Sequence, residues 1–225
     1  MTRPGMYSGV ATDDAMNLAM SAKAVPLYEA VKKFIAEEIE PVTRKYFELG
    51  EGRADRWSYG VGQLELLEQL KNKAKKAGLW NFFLPNSETG EGLSNLDYAY
   101  IAVELGKNPI ASEVMNCSAP DTGNMEVLER VGTPEQKEKW LKPLLNGEIR
   151  SAYAMIEPDV ASSDAKNLEC RAVRDGDEWL INGEKFYISG AGDPRCKIMI
   201  CMLLTSPDAP PHKRHSQILV PMNTP

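Results

Sequence analysis

Two short segments carry residue types that could hold a polar or aromatic ligand. The first, residues 153–164 (YAMIEPDVASSD), joins a short apolar stretch to a turn of small residues. Such a turn presents backbone amides and serine hydroxyls, which suit a phosphate or the polar edge of a ring. The second, residues 185–190 (KFYISG), places an aromatic ring beside a hydroxyl. Taken alone, these residues favour a plainer interpretation, in which Ser162 and Ser163 stabilise a turn and Tyr187 fills the core.

Other catalytic sets are incomplete. A serine hydrolase would need His212 or His215 as its base, yet there is no Gly-x-Ser-x-Gly turn, and both histidines lie in a polar, proline-rich stretch typical of a loop. The same context argues against a metal site at this His-x-x-His pair. The glycine-rich residues 190–192 follow a predicted strand without opening a helix, so they fail the test for a dinucleotide-binding turn. Glu37 and Glu38 lie on a charged helix face, which is typical of solvated carboxylates.

The composition is that of a globular protein. The 225 residues are 43% apolar, and 26 basic against 32 acidic side chains give a formal charge of −6. Because no basic stripe is present, nucleic acid is not an expected partner. No apolar run reaches the roughly 20 residues of a membrane span, and the N-terminal sequence MTRPGMYSGVATDD has no signal-peptide core, so we expect a cytoplasmic protein.

The sequence contains four cysteines, which are too sparse for a disulfide scaffold and which we interpret as buried thiols. They are Cys117, Cys170, Cys196 and Cys201.

Residues 22–147 show helical periodicity with marked helix ends. Apolar residues over positions 27–49 recur at threes and fours and form one stripe. Pro41 either kinks this helix or opens a second one at its first turn. Another helix is predicted over 62–77, and a further one from Ser94, whose hydroxyl can cap it, to Gly106.

The clearest helix signal lies in residues 132–148 (GTPEQKEKWLKPLLNGE). Thr133 is placed to cap the helix, Gln136 completes a capping box and Pro134 fits the first turn. Gly147 ends the segment. The physical properties of these residues predict an amphipathic helix.

After Arg150 the periodicity becomes that of strands. Residues 170–189 predict three strands separated by turns at 175–177 and at Asn182-Gly183, because Asn-Gly supplies the positive φ values of a tight hairpin. Residues 197–204 and 217–220 add strands. The predicted class is α+β: an all-α helical domain over residues 1–150, then an antiparallel β domain of at least four strands over 151–225. The sequence stops directly after a strand, so we expect this β domain to be incomplete, with its edge covered by further chain or by another chain.

Three segments in this order, residues 132–148, 153–167 and 182–192, resemble the acyl-CoA dehydrogenase family. Residues 119–128 (APDTGNMEVL) are similar to the subgroup whose animal members are fused to a kinase-like domain. In this family a carboxylate removes the α-proton of a fatty acyl-CoA while a hydride leaves the β-carbon for a flavin, and the product is a trans-2-enoyl-CoA. The resemblance therefore implies FAD, an acyl-CoA substrate, an electron-transfer flavoprotein as partner, and a homodimer or homotetramer.

The resemblance also implies roles in the first segment, which matches a flavin-binding loop. Tyr153, Met155 and Ile156 would line the isoalloxazine ring. Ser162 and Ser163 would approach the flavin pyrophosphate, with Ser163 also near the thioester arm of CoA. Ile156 stands where the family commonly has threonine, so one hydroxyl is lost there, and the loop is one residue longer than usual.

In the second segment, Tyr187, Ile188 and Ser189 match the Trp-Ile-Thr of the family. Tyr187 would lie against one face of the flavin, and the hydroxyl of Ser189 would lie near its reactive nitrogen. Tyrosine and serine here keep the aromatic face and the hydroxyl of the residues they replace.

The base of the family is a glutamate in a C-terminal helical domain that these 225 residues do not include, so no catalytic residue is assigned. We expect the isolated polypeptide to bind FAD poorly and to turn over nothing. A non-catalytic truncated homologue or partner subunit is the alternative. A eukaryotic source would place the family in mitochondria or peroxisomes rather than the cytoplasm.

Overall fold

The computed structural model describes residues 17–225, so the expectation about a signal peptide at the N-terminus lies outside the described residues. A helical domain comes first and a sheet domain second, which confirms the α+β class. The α-helices, in chain order, are α1 (Ala24–Phe34), α2 (Glu40–Gly50), α3 (Gln63–Lys76), α4 (Asn95–Gly106), α5 (Ala111–Val114), α6 (Asp121–Val131), α7 (Pro134–Gln136) and α8 (Lys142–Leu145). The strands are β1 (Arg150–Ala154), β2 (Arg171–Asp175), β3 (Glu178–Asn182), β4 (Cys196–Leu204) and β5 (His215–Pro221).

A π-helical turn precedes each of two prolines within the helical domain. A π-helical turn, Ile35–Ile39, joins α1 to α2 and lies just before Pro41, and a second one, Lys137–Leu141, lies just before Pro143. Proline lacks an amide hydrogen, and its ring crowds the carbonyl four residues earlier. A π turn widens the helix at that point. Pro41 therefore lies in the first turn of α2 while the chain stays helical, which combines the two predicted possibilities.

Local signals in the sequence set the helix ends. The Ser94 hydroxyl accepts a hydrogen bond from the Asp97 amide at 3.1 Å, as predicted for a cap of α4. Thr133 and Gln136 form the predicted capping box. Gly147 has a positive φ of 66° and follows α8, the last α-helix of the described residues.

The sheet is mixed, which corrects the prediction of a wholly antiparallel one. β4 is its centre and pairs in parallel with β1 and with the start of β2, and antiparallel with β5. β2 and β3 form an antiparallel hairpin. Parallel pairing needs a long connection, and residues 155–195, which separate β1 from β4, are long enough to provide it.

The predicted third strand within residues 184–189 is absent, and this expectation was wrong. Gly183 ends β3 with a φ of 141° and packs so closely on Cys170 that an added Cβ would lie 2.6 Å from its sulfur. The chain then turns toward the loop after β1, where the Phe186 amide donates to the Ile156 carbonyl at 3.0 Å. A tertiary contact thus overrides the local hairpin signal at Asn182-Gly183.

The main core lies among the helices and extends to β4 through Ile198. A smaller core lies under the sheet around Ala154, Cys170 and Leu203. All four cysteines are buried free thiols, as predicted.

Candidate functional site

The first candidate segment begins at the end of β1 and leaves the sheet as a loop. Tyr153 is half-buried, and its hydroxyl accepts a hydrogen bond from the side-chain amide Nε2 of Gln217, a residue of β5, at 3.1 Å. Met155 is also half-buried, whereas Ile156 is exposed. The three residues predicted to line a ring therefore become more exposed along the chain, from the end of β1 to the surface loop.

The two serines of this loop have different environments. The Ser162 hydroxyl is buried, accepts a hydrogen bond from the Glu157 amide at 2.8 Å and lies 3.1 Å from the Val160 carbonyl as a donor. A hydroxyl has one proton, so Ser162 has no second donor for a phosphate. Ser163 is exposed. The loop thus uses one serine to hold its own shape and presents the next one outward.

The second segment is exposed and conformationally strained. Tyr187 has a positive φ of 54°, and its side chain is 81% exposed. Its ring packs against Phe186, with centroids 4.1 Å apart and planes tilted by 41°. Ser189 is exposed, whereas Ile188 is half-buried and packs on the smaller core. Ile188 therefore anchors a segment that presents an aromatic face and a hydroxyl on either side of it.

A buried ion pair joins the two segments. Lys185 Nζ lies 2.7 Å from Glu157 Oε1 and donates to the Met155 carbonyl at 2.9 Å. Glu157 also accepts from the amides of Glu169 at 2.7 Å and Cys170 at 3.0 Å. Sequence reasoning missed this pair. The available signals were an acid directly after the apolar residues 153–156 and the lysine two residues before Tyr187.

The environment keeps Glu157 ionised. Burial alone would raise the pKa of its carboxyl, but the Lys185 ammonium and the two backbone amides outweigh burial and lower the pKa below its usual value. Each carboxylate oxygen already accepts hydrogen bonds. Glu157 is therefore a structural anion and a poor candidate for a proton-transferring base.

A cavity of about 670 Å³ opens beside the second segment. Phe186, Tyr187 and Ser189 line one side, and Arg56 and Trp57 line the other. The last two belong to the connection between α2 and α3, which sequence reasoning did not connect with the site. The helical domain therefore contributes directly to the surroundings of Tyr187.

Of the weaker candidates, residues 190–192 line this cavity, whereas His212 and His215 do not. Residues 190–192 lead into β4 and open no helix, in keeping with the rejected dinucleotide-binding turn. His215 begins β5, and its Nε2 lies 2.9 Å from the Leu168 carbonyl. His212 lies in a short 3-10 turn, Pro211–Lys213. No helix within residues 17–225 is long and apolar enough to cross a membrane.

Known proteins share this arrangement of a helical domain and a sheet. Residues 22–148 match the family model of the acyl-CoA dehydrogenase N-terminal domain, and residues 152–225 match that of the acyl-CoA dehydrogenase middle domain. The chain belongs to the acyl-CoA dehydrogenase family, as the sequence resemblance predicted.

Several relatives are similar over most of this chain. A probable acyl-CoA dehydrogenase of Mycobacterium tuberculosis, FadE2, is 47% identical over 93% of this chain and 50% of its own length. Human acyl-CoA dehydrogenase family member 11 is 50% identical over 87% of this chain and 25% of its own length. A solved acyl-CoA dehydrogenase homologue of Mycobacterium abscessus is 51% identical, with a TM-score of 0.83 over 92% of this chain and 52% of its own. The chain thus spans half or less of the length of these curated relatives.

Proposed function

We propose that this chain supplies the helical and middle domains of a flavin-dependent acyl-CoA dehydrogenase that converts a fatty acyl-CoA into its trans-2-enoyl-CoA. One observation carries the proposal. The Glu157–Lys185 pair joins two segments that matched the family's flavin-binding motifs separately in the sequence. Family membership makes oxidoreductase chemistry the expected activity.

The residues of these two segments fit FAD in their chemistry. Ile156 and Tyr187 expose an apolar and an aromatic side chain, and Ser163 and Ser189 expose hydroxyl donors. We assign Tyr153, Met155 and Ile156 to the ring edge, Tyr187 with Ile188 to one face, and Ser189 to a ring nitrogen. Ser163 is assigned to the pyrophosphate and to the thioester arm of CoA, while Ser162 shapes the loop. When bound, FAD supplies the hydride acceptor.

The residues of this chain bind and orient the flavin, and they exclude water from it. A carboxylate base must be desolvated to remove a weakly acidic α-proton, and we propose that it is a glutamate of a C-terminal helical domain. The isolated 225-residue polypeptide is therefore proposed to be inactive. An electron-transfer flavoprotein as acceptor, a homo-oligomeric assembly, a cytoplasmic location and a domain boundary near residue 150 complete the proposal.

An exposed apolar surface supports a second candidate function, that of a non-catalytic partner subunit. The β2–β3 hairpin leaves Val173, Trp179, Leu180 and Ile181 exposed. Exposed apolar side chains on an edge hairpin mark a surface that other chain segments cover. An assembly role predicts that a second dehydrogenase-like subunit co-purifies and that the complex loses activity without this chain.

A visible spectrum and an acyl-CoA titration of the full-length gene product test the proposal. We expect a bound flavin whose absorbance bleaches on addition of a fatty acyl-CoA, and no bleaching with CoA alone. The dehydrogenase assignment would be overturned if the pure gene product is colourless and shows no bound-flavin absorbance after FAD is added. Stoichiometric FAD retention and acyl-CoA-dependent dye reduction by the 225-residue polypeptide would overturn the proposed inactivity.

A further inference from the structure

A buried polar cluster joins the helical domain to the chain just after the second candidate segment. The Arg195 guanidinium holds Asp193 with two hydrogen bonds, Nε to Oδ1 at 3.0 Å and Nη2 to Oδ2 at 2.7 Å. The Tyr59 hydroxyl donates to Asp193 Oδ2 at 2.7 Å and accepts from Arg195 Nη2. We call Tyr59, Asp193 and Arg195 the Asp193 clamp.

The clamp is anchored to both domains. Arg195 Nη1 also donates to Glu113 of α5 at 2.6 Å, and Glu113 in turn accepts from Arg150 at the start of β1 at 2.7 Å. The side chains of Asp193 and Arg195 are each 16% exposed. A mostly buried charged cluster is a weak source of stability compared with an apolar core, but it fixes one orientation of the groups it joins. The clamp therefore contributes orientation more than stability.

The clamp lies one short turn from Tyr187 and Ser189. The Asp193 amide donates to the Gly190 carbonyl at 3.1 Å, and the Ala191 amide donates to the Ile188 carbonyl at 3.2 Å. Trp57 covers the same turn so closely that a Cβ on Gly192 would lie 2.2 Å from the indole ring. The turn cannot move without breaking these contacts.

Tyr187 needs such support because its backbone is strained and its ring is uncovered. A positive φ at a non-glycine residue is strained and persists only where the surroundings impose it. With the Tyr187 side chain 81% exposed, the constraint must come from the flanks. The Glu157–Lys185 pair holds the flank before Tyr187, and the Asp193 clamp holds the flank after it.

We propose that the Asp193 clamp is a positioning device through which Tyr59, a residue of the helical domain, holds the Tyr187–Ser189 turn in the orientation that faces the flavin. The flavin-facing role rests on the proposed function, whereas the local constraint does not. None of the three residues needs to contact substrate or cofactor. They act through the backbone of residues 187–193.

Hydrogen exchange of the purified full-length gene product tests the local constraint. Tyr59→Phe removes only the hydroxyl, and Asp193→Asn keeps the shape of the side chain while removing its charge. Tyr100→Phe is the matched control, because its hydroxyl donates at 2.6 Å to the Leu18 carbonyl, away from the site. We expect the Ala191 and Asp193 amides to exchange about tenfold faster or more in the two clamp variants, the size expected when a hydrogen bond to a charged group is lost. The control and the β4 amides should exchange at the wild-type rate.

The outcomes separate a positioning role from a structural one. Unchanged exchange at Ala191 and Asp193 in both clamp variants would overturn the proposal, and so would faster exchange that extends equally to β4. A second measurement, FAD affinity, should fall about tenfold in Tyr59→Phe and stay unchanged in Tyr100→Phe. If wild-type protein binds no FAD while the loop effect holds, the proposed function fails and the local constraint stands.

Discussion

Replacing Lys185 with methionine should destabilise the protein, because the Glu157 carboxylate would stay buried without its counter-charge. The two side chains are 9% and 5% exposed, with their charged atoms 2.7 Å apart. Removing one partner of a buried ion pair costs about 3–5 kcal/mol. Glu157 keeps the amide donors of Glu169 and Cys170, so we expect the lower end, about 3 kcal/mol. For a chain of this size that corresponds to a fall in Tm of about 6–12 °C.

Thermal unfolding followed by circular dichroism at pH 7 measures this loss. Lys166→Met is the matched control, since Lys166 pairs with Asp164 at 3.2 Å with side chains 43% and 48% exposed. A pair this exposed is worth at most about 1 kcal/mol. The reasoning is refuted if Lys185→Met lowers Tm no more than Lys166→Met does.

The pH dependence gives the same prediction a second test. The folded-state pKa of Glu157 is lowered, so its contribution to stability is present above the unfolded value of about 4.3 and is lost as pH falls through the folded value. In Lys185→Met, burial is no longer opposed by the ammonium, so the pKa of Glu157 should rise. The difference in Tm between wild type and variant should then shrink as the pH is lowered from 7 through the raised pKa of Glu157 in the variant. A difference that stays constant down to the pH at which the wild type itself loses stability would contradict the assignment.

Three further outcomes are expected. Ser162→Ala should lose about 1–3 kcal/mol in denaturant unfolding because the buried Glu157 amide loses its acceptor, whereas Ser163→Ala should change stability by less than about 0.5 kcal/mol and weaken FAD binding in a fluorescence titration. Gly192→Ala should lose about 1–3 kcal/mol by forcing a methyl group into the Trp57 ring, and tryptophan emission should shift with it. Burial raises the pKa of the Cys117 thiol to about 12, so iodoacetamide at pH 8 should label it only after denaturation, as counted by mass spectrometry.

The sequence predicted those features whose causes are local. Ser94 and Thr133 cap helices through hydrogen bonds to residues three positions away, so the partners are visible in the sequence itself. The strand over residues 197–204 was also visible, as a long apolar run. Its pairing partners were not, because β1 lies some 45 residues earlier in the chain and only tertiary packing brings the two together in parallel.

The candidate site shows the same division more sharply. Its two segments were recognisable by residue type and by family resemblance, yet the contact that unites them joins Glu157 to Lys185 across 28 positions. The incorrect third strand had the same origin. Asn182-Gly183 is a strong local hairpin signal, but the Phe186 amide finds its acceptor in the loop after β1 instead of in a neighbouring strand.

The two adjacent serines show why a motif assigns a region better than it assigns an atom. In a turn rich in small residues, the buried backbone amides need hydrogen-bond acceptors, because a buried amide without an acceptor is costly. Some of the polar side chains are therefore used within the turn and are not free to bind a ligand. The Ser162 hydroxyl accepts the hydrogen bond of the Glu157 amide, and the Glu157 carboxylate in turn binds Lys185 of the second segment. Ser162 is therefore used inside the loop, whereas Ser163 is exposed and is the residue that we assign to the pyrophosphate.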